Sequence, residues 1–415
     1  MIRLYFFCLL VLFTLHNLPA QSRPPLEFSD GDRVILLGDG FIERDVFDGY
    51  LETALTRQFP GQQIVFRNMG WTGDTVQIQM RPLSFGDLEH NVTHQRPTAI
   101  FVSYGMNDSF EGPEGIEQFR SGYERILDIL SRKVLRSPPW PPIVVLSPIF
   151  HEDLGSPLPD PTEHNLSLQA YVAELEDVAY RNRVRFVNLF DRLRQIKKAE
   201  PTPLLTDSGI HLTPYGYWRI ALELGDVLEW SDDPWRVTIA DSPEESSSSG
   251  TEILELTRSA EAIQFNLQDE RLPWPSPPLT VTDNQPKISR ILTINGLSPG
   301  RYRLTVDGIA VATADEAQWA AGVRLDTGPD FDQIEELRRA IVRKNKLFFF
   351  RWRPYNTEYI FGRRSERRGA NVGNPQFADE FREFDRLIEE AETEISTLSA
   401  PQPRTYRLER YEGSE

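Results

Sequence analysis

The chain has 415 residues, which suggests two or three domains, and its apolar fraction of 40% and aromatic fraction of 11% suffice for packed cores. Its formal net charge at pH 7 is −17. Because nucleic acids and anionic membranes bind basic surfaces, this charge argues against both as the main partner.

The N-terminus has the pattern of a secretory signal peptide. Arg3 precedes a nearly unbroken apolar run, and Ala20 offers a small residue for cleavage. We predict a signal peptide at residues 1–20 and a secreted or periplasmic protein with no membrane span after cleavage; an uncleaved N-terminal anchor is the alternative. The single cysteine, Cys8, lies inside this segment, so we expect neither disulfides nor thiol chemistry in the mature chain.

Five short apolar runs have the character of buried parallel strands. They cover residues 33–37, 63–67, 99–103, 143–147 and 184–189. Segments with helical periodicity lie between them, and a last helix is predicted from about residue 214 to 228. This alternation predicts an open, mainly parallel, three-layer α/β domain over residues 21–230.

The character of the sequence changes twice after residue 230. Asp307-Gly308 predicts a hairpin turn between two strands, and we assign residues 231–326 to a β-rich domain. From residue 327 to 415 we expect a helical hairpin and a C-terminal strand, because the second helical segment has heptad-like apolar spacing. The aromatic run at residues 348–355 docks this hairpin on the α/β domain, or it forms a wall or lid over the ligand crevice, with Arg353 and Asn356 contacting ligand.

Four polar clusters stand at the ends of the predicted elements of the α/β domain. They are Gly38-Asp39-Gly40 after the first strand, Asn68-Met69-Gly70-Trp71 after the second, Gly105-Met106-Asn107-Asp108 after the third, and Asp207 to His211 before the last helix. The carboxyl ends of the strands form the ligand crevice of an open parallel sheet. We therefore expect the clusters to converge there.

This order of clusters resembles the SGNH (GDSL-type) hydrolase family over about residues 33–230. The resemblance implies a flavodoxin-like three-layer fold and the cleavage of acyl esters, often on carbohydrates or lipids, without a metal or cofactor. It makes His211 the general base. It also makes Gly70 and Asn107 donors of the oxyanion hole, together with the backbone N–H at the nucleophile position.

Two positions depart from the family pattern. Gly40 stands where the nucleophilic serine is expected, and Ser208 stands where an acid should orient His211, with Asp207 one residue before it. Glycine has no side chain to acylate, so the usual covalent mechanism should fail. His211 could instead activate water in one step, or Asp39 could serve as a carboxylate nucleophile; either Asp207 or Ser208 would orient the histidine.

Several of these residues also have purely structural interpretations. Asn107 could cap the helix that follows it, Gly70 could serve only a tight turn, and Asp39 could stabilise its own loop. The pair Glu43-Arg44 is expected on a solvated helix face.

Two functions of different classes remain open. The first is an atypical hydrolase acting on a small-molecule or glycan ester, and the second is a catalytically silent carbohydrate-binding pseudoenzyme. No cofactor or metal site is predicted, because the surface pair His90 and His94 lacks the rest of a zinc motif. The sequence does not predict an oligomeric state.

Overall fold

The computed structural model describes residues 26–81, 85–135, 142–199, 203–228, 230, 234–259, 261–278, 289–353 and 378–412. The predicted signal peptide lies outside these ranges. Across the described part of the chain, every helix is too short or too polar to span a bilayer.

A five-stranded parallel sheet in the order β2-β1-β3-β4-β5 forms the centre of the first domain. Its strands are β1 (Arg33–Gly38), β2 (Val65–Gly70), β3 (Ala99–Ser103), β4 (Ile143–Leu146) and β5 (Arg185–Val187). The predicted α/β fold is confirmed. The last strand ends earlier than predicted because the Asn188 side chain accepts the Asp191 N–H at 2.9 Å and starts the next helix.

Helices cover both faces of this sheet, as a parallel sheet with apolar strands requires. They are α1 (Gly40–Asp48), α2 (Tyr50–Gln58), α3 (Leu88–His94), α4 (Ile116–Asp128), α5 (Thr162–Arg181), α6 (Leu189–Ala199) and α7 (Pro214–Val227). Side chains alternate along β1, so Leu36 packs in a core cluster with Trp218 of α7. Its neighbour Leu37 packs in the opposite cluster with Tyr123 of α4.

Two further sheets, in the orders β13-β10-β6-β7 and β12-β11-β14-β9-β8, share one apolar core and form the predicted β-rich part. Their strands, with one short helix α8 (Glu316–Ala321), are β6 (Arg236–Ile239), β7 (Ser247–Ser249), β8 (Thr251–Arg258), β9 (Ala262–Asp269), β10 (Arg290–Ile294), β11 (Arg301–Val306), β12 (Ile309–Asp315), β13 (Val323–Leu325) and β14 (Arg404–Arg410). The predicted turn at Asp307-Gly308 joins β11 to β12, with φ values of 49° and 83°.

Two long helices, α9 (Pro329–Trp352) and α10 (Ala378–Ser399), form the predicted hairpin and lie between β13 and β14 in the chain. The hairpin docks on the α/β domain. Phe348 joins the same core cluster as Leu37, and Phe349 is also buried, whereas 42% of Phe350 is exposed. Docking through the aromatic run is thus confirmed up to Arg353, and residues 354 and 355, with the predicted ligand contact Asn356, lie outside the described ranges. The domain boundaries stay predictions.

Candidate active site

A pocket opens at the carboxyl edge of the parallel sheet and encloses about 400 Å³, counting its open mouth. Its lining consists of Asp39, Gly40, Phe41, Thr72, Gly73, Ser103, Met106, Asn107, Pro148, Ile149, Ile210 and His211. The structure therefore brings together four of the predicted site residues, Asp39, Gly40, Asn107 and His211. It leaves Gly70 and Asp207 outside the lining.

Gly40 begins helix α1 and has an ordinary backbone conformation, not a positive φ. A Cβ built on it would lie 3.4 Å from the Thr72 Oγ1 and 3.8 Å from the His211 Nε2, which are normal contact distances. This position can therefore hold a side chain, and that side chain would stand beside the imidazole.

His211 is held from its far side by Ser208, whose Oγ lies 2.8 Å from the histidine Nδ1. Its Nε2 faces position 40. Burial lowers the pKa of His211, the Arg44 guanidinium lowers it further, and the Asp207 carboxylate opposes the shift. The imidazole is therefore neutral at pH 7 and can accept a proton.

The Asp207 carboxylate makes no hydrogen bond to the His211 ring, although the Asp207 backbone N–H donates to the His211 carbonyl at 2.9 Å. The carboxylate pairs with the Arg44 guanidinium at 2.6 Å, in an ion pair whose two side chains are 47% and 38% exposed. The geometry therefore does not support Asp207 as the orienting acid, and the neutral hydroxyl of Ser208 takes that place.

Asn107 lines the pocket, and its side chain does not cap the following helical turn. Its Nδ2 donates to the Asp74 carbonyl at 2.9 Å, which leaves a second amide hydrogen of the same nitrogen for a ligand. The capping interpretation was therefore wrong. The neighbouring Asp108 instead accepts the Val76 N–H at 3.0 Å, and burial raises its pKa to about 6.

Gly70 lies inside strand β2, where a Cβ would come within 2.2 Å of the Glu43 backbone nitrogen. Its N–H donates to the Asn68 Oδ1 at 3.1 Å. The close approach of helix α1 explains the glycine, and the engaged N–H does not support a role as an oxyanion donor. Gly73 was not among the predicted site residues, yet it lies on the loop after β2, lines the pocket and has a φ of +89°. Among the described residues, its N–H has no hydrogen-bond partner.

Residues 36–219 match the sequence model of the GDSL-like lipase/acylhydrolase family. The α/β domain belongs to the SGNH (GDSL-type) hydrolase family. This family supports ester hydrolysis as the class of activity.

One solved structure has a similar fold over most of this chain. The protein BT4096, a gut microbial diltiazem-metabolizing enzyme, is 17% identical with a TM-score of 0.71, and the match covers 93% of this chain and 99% of that one. A catalytic mutant of Axe2, an acetylxylan esterase from Geobacillus stearothermophilus, is 14% identical with a TM-score of 0.39, covering 49% of this chain and 97% of that one. No curated protein is significantly similar in sequence.

Asp39 lies at the base of the SGNH pocket and is buried. Its Oδ1 accepts the Phe41 N–H at 3.0 Å and so caps helix α1, as expected of a residue that stabilises its own loop. Burial raises its pKa to about 7, against the lowering effect of the hydrogen bond from Phe41. The carboxyl group is therefore largely protonated below neutral pH, which makes it a poor nucleophile there.

The described residues contain no group of three or more His, Cys, Asp or Glu side chains arranged to hold a metal ion. The pocket lining itself includes the His211 imidazole and Asn107.

Proposed function

We propose that the pocket hydrolyses acyl esters of small molecules or glycans, with water replacing the serine hydroxyl that the family usually employs. One observation carries this proposal: the His211 Nε2 lies 3.8 Å from the Cβ position of residue 40, and no other atom lies closer to that position than 3.4 Å. A neutral base thus faces the space that the missing side chain leaves.

In this reaction the His211 Nε2 removes a proton from water as the water oxygen attacks the ester carbonyl carbon. The carbonyl oxygen becomes an oxyanion and accepts hydrogen bonds from the Asn107 Nδ2 and from the backbone N–H groups of Gly73 and Gly40. The tetrahedral intermediate then breaks its bond to the alcohol oxygen, which receives the proton from the imidazolium. Each oxyanion donor of this kind contributes about 3–4 kcal/mol in enzymes where it has been removed.

We expect hydrolysis to be slow, because the group that orients His211 is a hydroxyl and not a carboxylate. Ser208 is neutral and stabilises the imidazolium less than a carboxylate does. The same two substitutions, at positions 40 and 208, favour the second candidate function, a catalytically silent module that retains the pocket to bind a carbohydrate.

Initial rates on a small activated acetate ester separate the two candidates. We expect His211→Ala and Asn107→Ala each to lower the rate of the purified protein by about 10–10³-fold. His94→Ala is the matched control, since His94 is exposed at the end of α3, and it should leave the rate unchanged. A wild-type rate equal to that of His211→Ala would favour the binding module, which calorimetric titration with acetylated and plain oligosaccharides would then test.

We also propose that the chain is exported and loses residues 1–20. The support is the charged, apolar and small-residue pattern at the N-terminus. Mass spectrometry of the native protein should find Gln21 as the first residue, and a mature chain that retains Met1 would contradict the proposal.

A further inference from the structure

The loop of residues 71–74, here called the oxyanion loop, follows strand β2 and contributes Thr72 and Gly73 to the pocket. It is a tight turn, since the Asp74 N–H donates to the Trp71 carbonyl at 3.1 Å. The Trp71 N–H ties its start to Gly38 at 2.8 Å. A small movement of this loop would displace the Gly73 N–H.

The end of the helical hairpin contacts this loop directly. Arg353 follows α9, and its Nη1 donates to the Glu43 Oε2 at 2.8 Å. The same Glu43 oxygen accepts the Thr72 N–H. The Arg353 guanidinium carbon also lies 3.6 Å from the centre of the Trp71 ring, and the edge of Trp352 meets that ring with centroids 5.8 Å apart. The expectation that Glu43 is solvated was therefore wrong.

The ion pair between Arg353 and Glu43 is largely shielded from water, with side-chain exposures of 18% and 16%. Shielded pairs attract more strongly than surface pairs, and removing one partner leaves the other charge poorly solvated. Without Arg353, the Glu43 carboxylate would turn toward water and release the Thr72 N–H.

The other end of the oxyanion loop is held from inside the α/β domain. Arg81 donates to both carboxylate oxygens of Asp74, at 2.8 and 2.6 Å, and its guanidinium carbon lies 4.0 Å from the Trp71 ring centre. Asp74 in turn accepts the Asn107 side-chain amide through its carbonyl. A continuous set of contacts therefore runs from Arg353 through the oxyanion loop to Asn107.

We propose that Arg353 is a positioning residue, through which the helical hairpin sets the oxyanion loop and the Asn107 amide in the geometry that binds an oxyanion. The α/β domain then depends on the hairpin for full activity. This inference rests on the proposed function. Arg353 does not act as the ligand-contacting group that the sequence suggested as one alternative, because its contacts are with Glu43 and Trp71.

The test compares Arg353→Ala with Arg351→Ala, a matched control in the last turn of α9 whose guanidinium binds Asp385 of α10. Amide hydrogen exchange of the peptide that contains residues 71–74 is measured first, because it does not depend on catalysis. We expect Arg353→Ala to raise exchange there at least tenfold, most of all at Thr72, and Arg351→Ala to leave it unchanged. Arg353→Lys should restore part of the protection, since lysine can pair with Glu43 but cannot stack its charge in the same way.

Kinetics on the activated acetate ester supply the second measurement, in the wild type or, if its rate is too low, in a Gly40→Ser background. We expect Arg353→Ala to lower kcat about 10–100-fold with KM within about threefold, because an oxyanion donor acts in the transition state. Unchanged exchange at residues 71–74 would overturn the inference, and so would increased exchange with unchanged kcat.

A second variant and the exchange measurement cover the cases in which Arg353→Ala does not fold or no hydrolysis is detected. If Arg353→Ala does not fold, Glu43→Gln removes the charge that Arg353 binds while keeping the shape of the side chain, and the same two measurements apply. If neither the wild type nor Gly40→Ser hydrolyses the ester, the proposed function fails, whereas the exchange result still decides whether Arg353 holds the loop.

Discussion

Two clusters of polar groups, one buried under α9 and one at the open edge of the parallel sheet, differ in how completely their atoms are paired. Between α9 and the α/β domain, the Lys344 Nζ donates to Glu52, to Asn345 and to the Phe66 carbonyl, at 2.8–3.0 Å, which employs all three of its hydrogens. In the pocket, His211 is paired through its Nδ1. Among the described residues, the N–H groups of Gly40 and Gly73 have no partner.

This difference in pairing suggests that the Lys344 cluster serves the fold and that the pocket serves a function. Buried polar groups are normally fully hydrogen-bonded, and a complete network such as that of Lys344 fixes one packing arrangement. Backbone donors and an imidazole Nε2 without partners among the described residues, at the open edge of a sheet, indicate a site that a ligand completes. The following predictions test whether each cluster behaves accordingly.

The largest expected effect is a gain of ester hydrolysis in the pocket. Gly40→Ser should raise ester hydrolysis about 10²–10⁴-fold above wild type, because it places a hydroxyl beside the His211 Nε2 at a position without backbone strain. Initial rates on the activated acetate ester measure the gain, and His211→Ala in the same background should abolish it.

Gly225→Ser is the matched control for this gain. Gly225 lies in α7 with no atom within 4 Å of an added Cβ, so serine should fit there without altering the rate. If a folded Gly40→Ser protein is no faster than wild type, the pocket is not a degraded esterase site.

A second prediction concerns the fully hydrogen-bonded cluster around Lys344. Lys344→Met should destabilise the fold by about 3–5 kcal/mol, because it leaves the Glu52 carboxylate buried without its cation. Chemical unfolding measures this loss, with Lys346→Met as the control, since Lys346 is exposed two residues further along the same helix. A loss below about 1 kcal/mol would show that the ion pair does not fix the hairpin.

The sequence was sufficient for the α/β fold because buried parallel strands are apolar on both faces and their carboxyl ends carry the polar clusters. It was insufficient where a long-range contact decides. Pairing with β1 extends β2 to Gly70, so Gly73 on the loop beyond the strand lines the pocket and Gly70 does not. Asp207 is drawn away by Arg44, a residue 163 positions earlier in the chain, and no local spacing reveals that pair.

A third prediction concerns the buried carboxyl group of the pocket. The pKa of Asp39 is about 7 in the folded state and near 3.8 when unfolded, so between these values only the unfolded state is ionised. The carboxyl group therefore costs stability that grows as pH rises from about 4 to 7. Asp39→Asn should keep the cap of α1 and remove this cost, with a gain on the order of 2–4 kcal/mol at pH 8 and almost none at pH 4. Urea unfolding of both proteins across this range measures it; a difference that does not vary with pH would contradict the raised pKa.

The smallest expected effect concerns the residue that orients His211. In the Gly40→Ser background, Ser208→Asp should raise kcat/KM about tenfold, because a carboxylate near the Nδ1 stabilises the imidazolium that forms during catalysis. It should also raise the pKa of His211, so the acid limb of the pH profile should move to higher pH. Asp207→Asn is the comparison: its carboxylate is paired with Arg44 at the exposed rim, so its removal should shift the acid limb slightly toward lower pH and change the rate less than threefold. If Asp207→Asn lowers the rate tenfold or more while Ser208→Asp has no effect, then Asp207 orients the histidine during catalysis and leaves Arg44 to do so.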